Sequence, residues 1–296
     1  MSVTAIALIL AAAVAHASWN LLSKQASATG AAFFLWLLAA CATVAYLPVA
    51  VIALALTRAH LTILNWVFLA GTGLLHSGYF LFLQLGYRKG DLSLAYPIGR
   101  GTGALLAAVA GVVLLGERPG PVGACGIVAI ITGVVVIGLP ERRSARPDSS
   151  ARSLPGRIPA LSFALVTGLC IACYTIWDKY AVANLHTPPV LQGYAGLPVM
   201  VIVFTPFVFR DRGRLGQVWR DFRPQVLGAA LLSPLAYMLV LVALSFTAVS
   251  AVAPAREASV LLGVLLGRRL LGEGHAARRL AAAAAIVAGI IAIAVG

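Results

Sequence analysis

The chain has 296 residues, of which 61% are hydrophobic and 10% charged, and a formal net charge of +13. A soluble domain carries about a quarter charged residues, so a water-soluble globule hiding this much apolar surface is excluded. The positive charge does not indicate nucleic acid, because the basic residues lie in short stretches between apolar runs and no basic domain exists to present them.

Taken from the amino end, the apolar runs predict ten spans, at 3–23, 30–57, 63–87, 92–115, 119–139, 159–183, 188–210, 223–246, 249–270 and 275–295. A hydrocarbon core is crossed by about 20 such residues. The first run has no basic flank before it and continues through His16, Trp19 and Asn20 to Lys24, which predicts a retained helix and not a cleaved signal. Residues 140–158, PERRSARPDSSARSLPGRI, are rich in Pro, Ser and Arg and predict a linker between halves 1–139 and 159–296.

The odd-numbered connections hold most of the basic residues: Lys24; Arg88 and Lys89; Arg142, Arg143, Arg146, Arg152 and Arg157; Arg210, Arg212, Arg214, Arg220 and Arg223; Arg268, Arg269, Arg278 and Arg279. The even-numbered ones offer Arg58, Arg118 and, near a helix end, Lys179. Positive charge inside then places the odd connections and the linker in the cytoplasm, both termini outside, and the chain in a plasma (inner) membrane.

The halves match each other. VVLLGERPG with Glu117 answers RRLLGEGHA with Glu273, and seventeen positions before each glutamate stands an arginine, Arg100 in YPIGRG and Arg256 in APARE. HASWNLLSK, ending at Lys24, answers IACYTIWDK, ending at Lys179. A period of this length marks a duplicated half and not a solenoid. Five crossings per half oblige the second half to enter the membrane the other way round. The expected fold is therefore all-α and integral to the membrane, with ten transmembrane helices as two inverted five-helix repeats.

Charge inside a span costs at least a few kcal/mol and faces a protein interior or a watery cavity. Arg100 and Arg256 lie about eight residues into their helices, roughly 12 Å from the start, and so near the midplane. Pro97, Gly99 and Gly101 predict a break or bend around Arg100, and Pro254 a milder one around Arg256. Glu257 follows Arg256 directly; a pair between Arg100 and Glu257 across the interface competes with a role in binding. The other candidates for a cavity wall are Trp19, Asn20, His76, Tyr79, Tyr96, Tyr174 and Tyr237, with His16 and His76 as possible proton relays. Glu117 and Glu273 are expected to hold the start of the next helix through backbone donors, and Asp178 and Lys179 to be interfacial. Cys170 and Cys173 have redox spacing but lack a second ligand pair, so they are read as packing residues. No HExxH or paired membrane aspartates occur, so no catalytic residue, metal or cofactor is assigned.

LLGERPGPVGACGIVAIITGVVVIG and LLGEGHAARRLAAAAAIVAGIIAI, with WNLLSK and YTIWDK, resemble the EamA-type branch of the drug/metabolite transporter superfamily. The resemblance covers the chain outside the linker and implies a central cavity formed mainly by the third, fourth, eighth and ninth helices. Together with the arginines it implies alternating-access transport of a small anionic or zwitterionic metabolite, such as an amino acid, organic acid or aminophosphonate. A coupling proton and the lipid bilayer are the remaining expected partners. Efflux of cationic or aromatic compounds and flipping of a lipid headgroup are the rival readings.

Overall fold

The computed structural model describes residues 1–26, 30–57, 60–89, 92–138, 157–259, 262 and 276–295. Among these residues the chain is all helix: α1 (Val3–Ala26), α2 (Ala31–Thr57), α3 (Ile63–Lys89), α4 (Leu92–Leu114), α5 (Pro121–Gly138), α6 (Arg157–Ala183), α7 (Pro189–Val208), α8 (Arg212–Phe246), α9 (Val249–Ala255) and α10 (Ala276–Val295). Five of them, α1, α2, α3, α7 and α8, contain stretches long and apolar enough to cross a membrane, and residues 99–114, 121–136 and 284–293 form shorter apolar helices. Outward faces carry Val44, Ile52, Trp66, Val113, Ile202 and Ile291, all more than half exposed. That much apolar surface requires lipid around it. The protein is thus a multi-pass membrane protein.

Helix packing follows the duplication. α1 packs on α8 as α6 packs on α3, and α3 packs on α7 as α8 packs on α2. Exchanging the halves turns each of these contacts into its counterpart. The contacts α2–α7, α4–α9 and α5–α10 each map onto themselves and so bridge the two halves. The glycines show the same relation. A Cβ on Gly126 would meet the Gly289 carbonyl at 2.6 Å, and one on Gly133 would meet the Ala282 carbonyl at 2.8 Å. Gly133 and Gly289 are separated by 156 positions, as are Gly126 and Ala282, Arg100 and Arg256, and Glu117 and Glu273. Small residues let these backbones touch, which is the main source of helix association where lipid is as apolar as the side chains.

Two irregularities position the site. In α8, Phe222 leaves helical geometry (φ −129°, ψ 19°) just before Pro224. Pro224 cannot donate to the carbonyl four residues back and its ring crowds that carbonyl, so the helix yields in the turn preceding it. An Arg-rich stretch from Arg212, capped by Asp211 accepting from the Arg214 N–H at 3.0 Å, is thereby set off from the apolar helix that follows.

The second irregularity corrects an expectation. The backbone of α4 is helical from Leu92 to Leu114, through Pro97, Gly99 and Gly101, without the break those residues predict. The glycines serve approach to α6 instead. A Cβ on Gly99 would lie 3.1 Å from the Ala164 carbonyl, one on Gly103 2.7 Å from Ile171, and one on Gly168 2.9 Å from the Gly99 carbonyl. The real break is at the other arginine: α9 ends at Ala255, and Arg256 and Glu257 form a turn in which the Glu257 N–H reaches the Pro254 carbonyl. The ninth span expected at 249–270 is therefore interrupted after seven residues.

Candidate functional site

Between the halves α1, α2, α3, α6, α7 and α8 enclose a cavity walled by aromatic rings: Trp19, His76, Tyr79, Phe80, Tyr174 and Tyr237. His76 is stacked obliquely on Tyr174, with centroids 4.2 Å apart, and meets Tyr237 edge-on at 4.7 Å. Tyr79 closes the set against Tyr174 at 5.5 Å. Only about 50 Å³ is open to water between these rings. That is room for roughly three or four waters.

Behind one side of this wall lies Asp178 of α6, fully buried. Its Oδ1 accepts from Gln192 Nε2 of α7 at 2.7 Å, and its Oδ2 accepts from Thr72 Oγ1 of α3 at 3.0 Å and from the Tyr237 hydroxyl of α8. All three donors are neutral. His76 Nδ1 lies 2.9 Å from the Thr72 carbonyl and 3.1 Å from the Thr72 hydroxyl. A carbonyl only accepts, so Nδ1 carries the proton. The polarity then runs one way, from His76 to the Thr72 hydroxyl to Asp178. On the opposite side, Trp19 Nε1 donates to His16 Nδ1 at 2.9 Å, which fixes that ring as acceptor.

Behind Tyr174 lies a second charged group. Arg100 Nε donates to Glu257 Oε2 at 2.9 Å, and Arg100 Nη2 to Ser259 Oγ at 3.2 Å. Arg256 is held more loosely. Its Nε stands 3.6 Å from Glu257 Oε1, its Nη2 reaches the Tyr174 hydroxyl at 3.5 Å, and its guanidinium lies over the Tyr174 ring at 5.7 Å. Among the described residues neither Arg256 Nε nor Glu257 Oε1 has a hydrogen-bond partner, although Arg256 is 2% and Glu257 0% exposed. The turn after Ala255 makes this possible, since it aims two consecutive residues into one interior.

The sequence-derived candidates fall into three groups. Trp19, His76, Tyr79, Tyr174 and Tyr237 line the cavity; Arg100, Arg256 and Glu257 sit a layer behind it. Asn20 turns back on its own helix, donating to the His16 carbonyl at 2.8 Å. The side chains of Tyr96 and Pro97 lie outside the described residues, as do Glu273 and the linker through residue 156. Asp178, expected at the interface, is instead in the core. Among the described residues the buried arginines and carboxylates therefore balance formally, Arg100 and Arg256 against Glu257 and Asp178. Gln192 and Thr72 were not anticipated; a polar residue within an apolar run was their only signal.

Two further polar residues hold the α8–α9 junction. Lys179 Nζ donates to the carbonyls of Leu244 and Thr247 at 2.8 and 2.9 Å. Glu117 accepts from the N–H groups of Val249 and Ser250 at 2.7 and 2.8 Å. Glu117 thus does bind the donors of a helix start, but the helix is α9 of the other half and not the following α5. No group of acidic, His or Cys residues suited to a metal occurs among the described residues.

The chain matches the EamA-like transporter family over residues 3–139 and again over 158–295. It belongs to that family, a membrane transporter built of two repeats. No curated protein matches it. Among solved structures, one described only as a crystal structure of a protein is 17% identical over 99% of this chain and 96% of its own, with a TM-score of 0.72. That likeness is one of fold.

Proposed function

We propose that the protein is a secondary transporter of a small zwitterionic or anionic metabolite, of the amino acid, organic acid or aminophosphonate class, working by alternating access. The observation that carries this is the inequality of the two arginines. Arg100 is committed to Glu257 and Ser259, whereas among the described residues Arg256 has an Nε without a hydrogen-bond partner and only long contacts, directly behind a cavity ring. A guanidinium with spare donors in a dry interior takes a carboxylate or phosphonate in paired hydrogen bonds. Swinging Tyr174 aside would connect it to the cavity. In this reading ten crossings form two inverted repeats that rock about α2–α7, α4–α9 and α5–α10, with both termini outside and an inner-membrane location. A proton is the proposed coupling ion.

Efflux of cationic or aromatic compounds is the second reading, and a specific observation favours it: Asp178 is a buried carboxylate behind a cage of four rings. A thermal-shift screen of the purified protein against anionic, zwitterionic and cationic metabolites separates the two, because a binder stabilises the folded form. Stabilisation by acids or zwitterions that disappears in Arg256→Ala supports the proposal. Stabilisation by cations alone, unchanged in that variant, overturns it.

A further inference from the structure

Gln192 is fully buried, lines the cavity, and has an amide oxygen with no hydrogen-bond partner among the described residues. The orientation of that amide is fixed by its surroundings. Its nitrogen faces two acceptors, Asp178 Oδ1 at 2.7 Å and the Phe68 carbonyl at 3.3 Å, so the oxygen cannot be the atom turned toward them. Beside it, Asp178 has no ion-pair partner among the described residues and is held by the Thr72 and Tyr237 hydroxyls and the Gln192 amide alone. A buried acceptor without a donor and a buried carboxylate without a cation are each costly. Here they occur side by side, next to the His76, Tyr174 and Tyr237 rings.

From this juxtaposition we infer that Gln192 and Asp178 form the site for a primary ammonium group of the solute. An ammonium offers three N–H donors and a point charge, which matches one orphan amide oxygen, one carboxylate and flanking ring faces. The Thr72 and Tyr237 hydroxyls are rotors. Turning the Tyr237 hydroxyl off Asp178 Oδ2 opens that oxygen to the cavity without moving a helix. Glu257 already faces two guanidinium groups, Arg100 at 2.9 Å from Oε2 and Arg256 at 3.6 Å from Oε1, so it is not the carboxylate that lacks a cation. The inference rests on the proposed function for the zwitterion as a whole, with Arg256 taking the acid group, but the ammonium site stands on its own residues.

Matched compounds test it by equilibrium binding to the purified full-length protein: L-phenylalanine and L-leucine, their decarboxylated amines, their deaminated acids, and the N-acetyl amino acids. The ammonium site predicts that every binder carries a free ammonium and that N-acetylation weakens binding by at least about tenfold, the loss of one charge-assisted bond. Asp178→Asn and Gln192→Leu should weaken the amines as much as the amino acids. The ligand series needs no variant, so a misfolded substitution leaves the test intact. Binding of the acids or N-acetyl compounds as tightly as the amino acids, or of no ammonium compound at all, overturns the inference. The two claims fail separately: acids binding alone preserves the arginine reading, whereas amines binding as well as amino acids, with Arg256→Ala inert, preserves only the ammonium site.

Discussion

Arg100 and Glu257 form a buried ion pair between the halves, and the physics of such pairs is asymmetric. Removing one partner strands the other charge and costs about 3–5 kcal/mol, whereas removing both is far milder. Arg100→Ala should therefore lower the thermal stability of the detergent-solubilised protein sharply, and Arg100→Ala with Glu257→Ala should cost less than the sum of the two single losses, with Arg256, 3.6 Å from Glu257 Oε1, keeping part of the loss in place. A double-mutant cycle measures this; additive losses would show that the pair is not coupled. Arg256, with only long contacts, should behave differently. Arg256→Lys keeps the charge but loses the planar fork, so transport should fall while the unfolding temperature stays near that of the parent. The Arg100–Glu257 pair was legible in the sequence as a rival to a role in binding, but the looser hold on Arg256 was not, since both arginines follow a proline and precede a glutamate by the same distance. The difference arises from the turn after Ala255, which gives Glu257 to Arg100. Asp178 was hidden for a related reason. It precedes Lys179, and neighbours on a helix point in different directions: the lysine reaches the end of α8 while the aspartate turns into the core.

Among elements, most helix starts and the repeat were readable from hydropathy and spacing, but α8 begins at Arg212 and not at the expected 223, because its Arg-rich first turns carry no apolar signal. α3, α4 and α9 begin at the expected residues 63, 92 and 249. The break was misplaced because Pro97 with three glycines looks like a weak helix when read alone. Their use becomes visible only against α6, whose Gly168 meets them. The glycine contacts carry a prediction: Gly126→Val places carbon within 2.6 Å of the Gly289 carbonyl, so α5 and α10 must separate. Overpacking of this kind costs about 1–3 kcal/mol, and Gly123→Val, whose Cβ would meet nothing closer than Pro119 at 3.8 Å, should cost much less. Comparing the two unfolding temperatures checks it. Glu117 tests the α8–α9 junction. Loss of its carboxylate in Glu117→Ala removes the cap on α9 at about 0.5–2 kcal/mol, and Glu117→Gln should retain part of it. Equal loss in both variants would assign the effect to charge and not to hydrogen bonding.

At the scale of the whole molecule, the contacts that map onto themselves under exchange of the halves are, on the proposed alternating-access reading, those that slide or hinge when the cavity opens. The cavity as described is too small for an amino acid, and its walls come from both halves. Opening it toward one side of the membrane and then the other by relative motion of the repeats is the central claim. It is tested most directly by counterflow. Proteoliposomes loaded with an unlabelled zwitterionic amino acid that stabilises the purified protein are diluted into trace labelled amino acid. The predicted result is a transient, saturable accumulation of label, present with the parent protein and absent with Arg256→Ala. Entry of label no faster than into protein-free vesicles, for every compound that stabilises the protein, would contradict it.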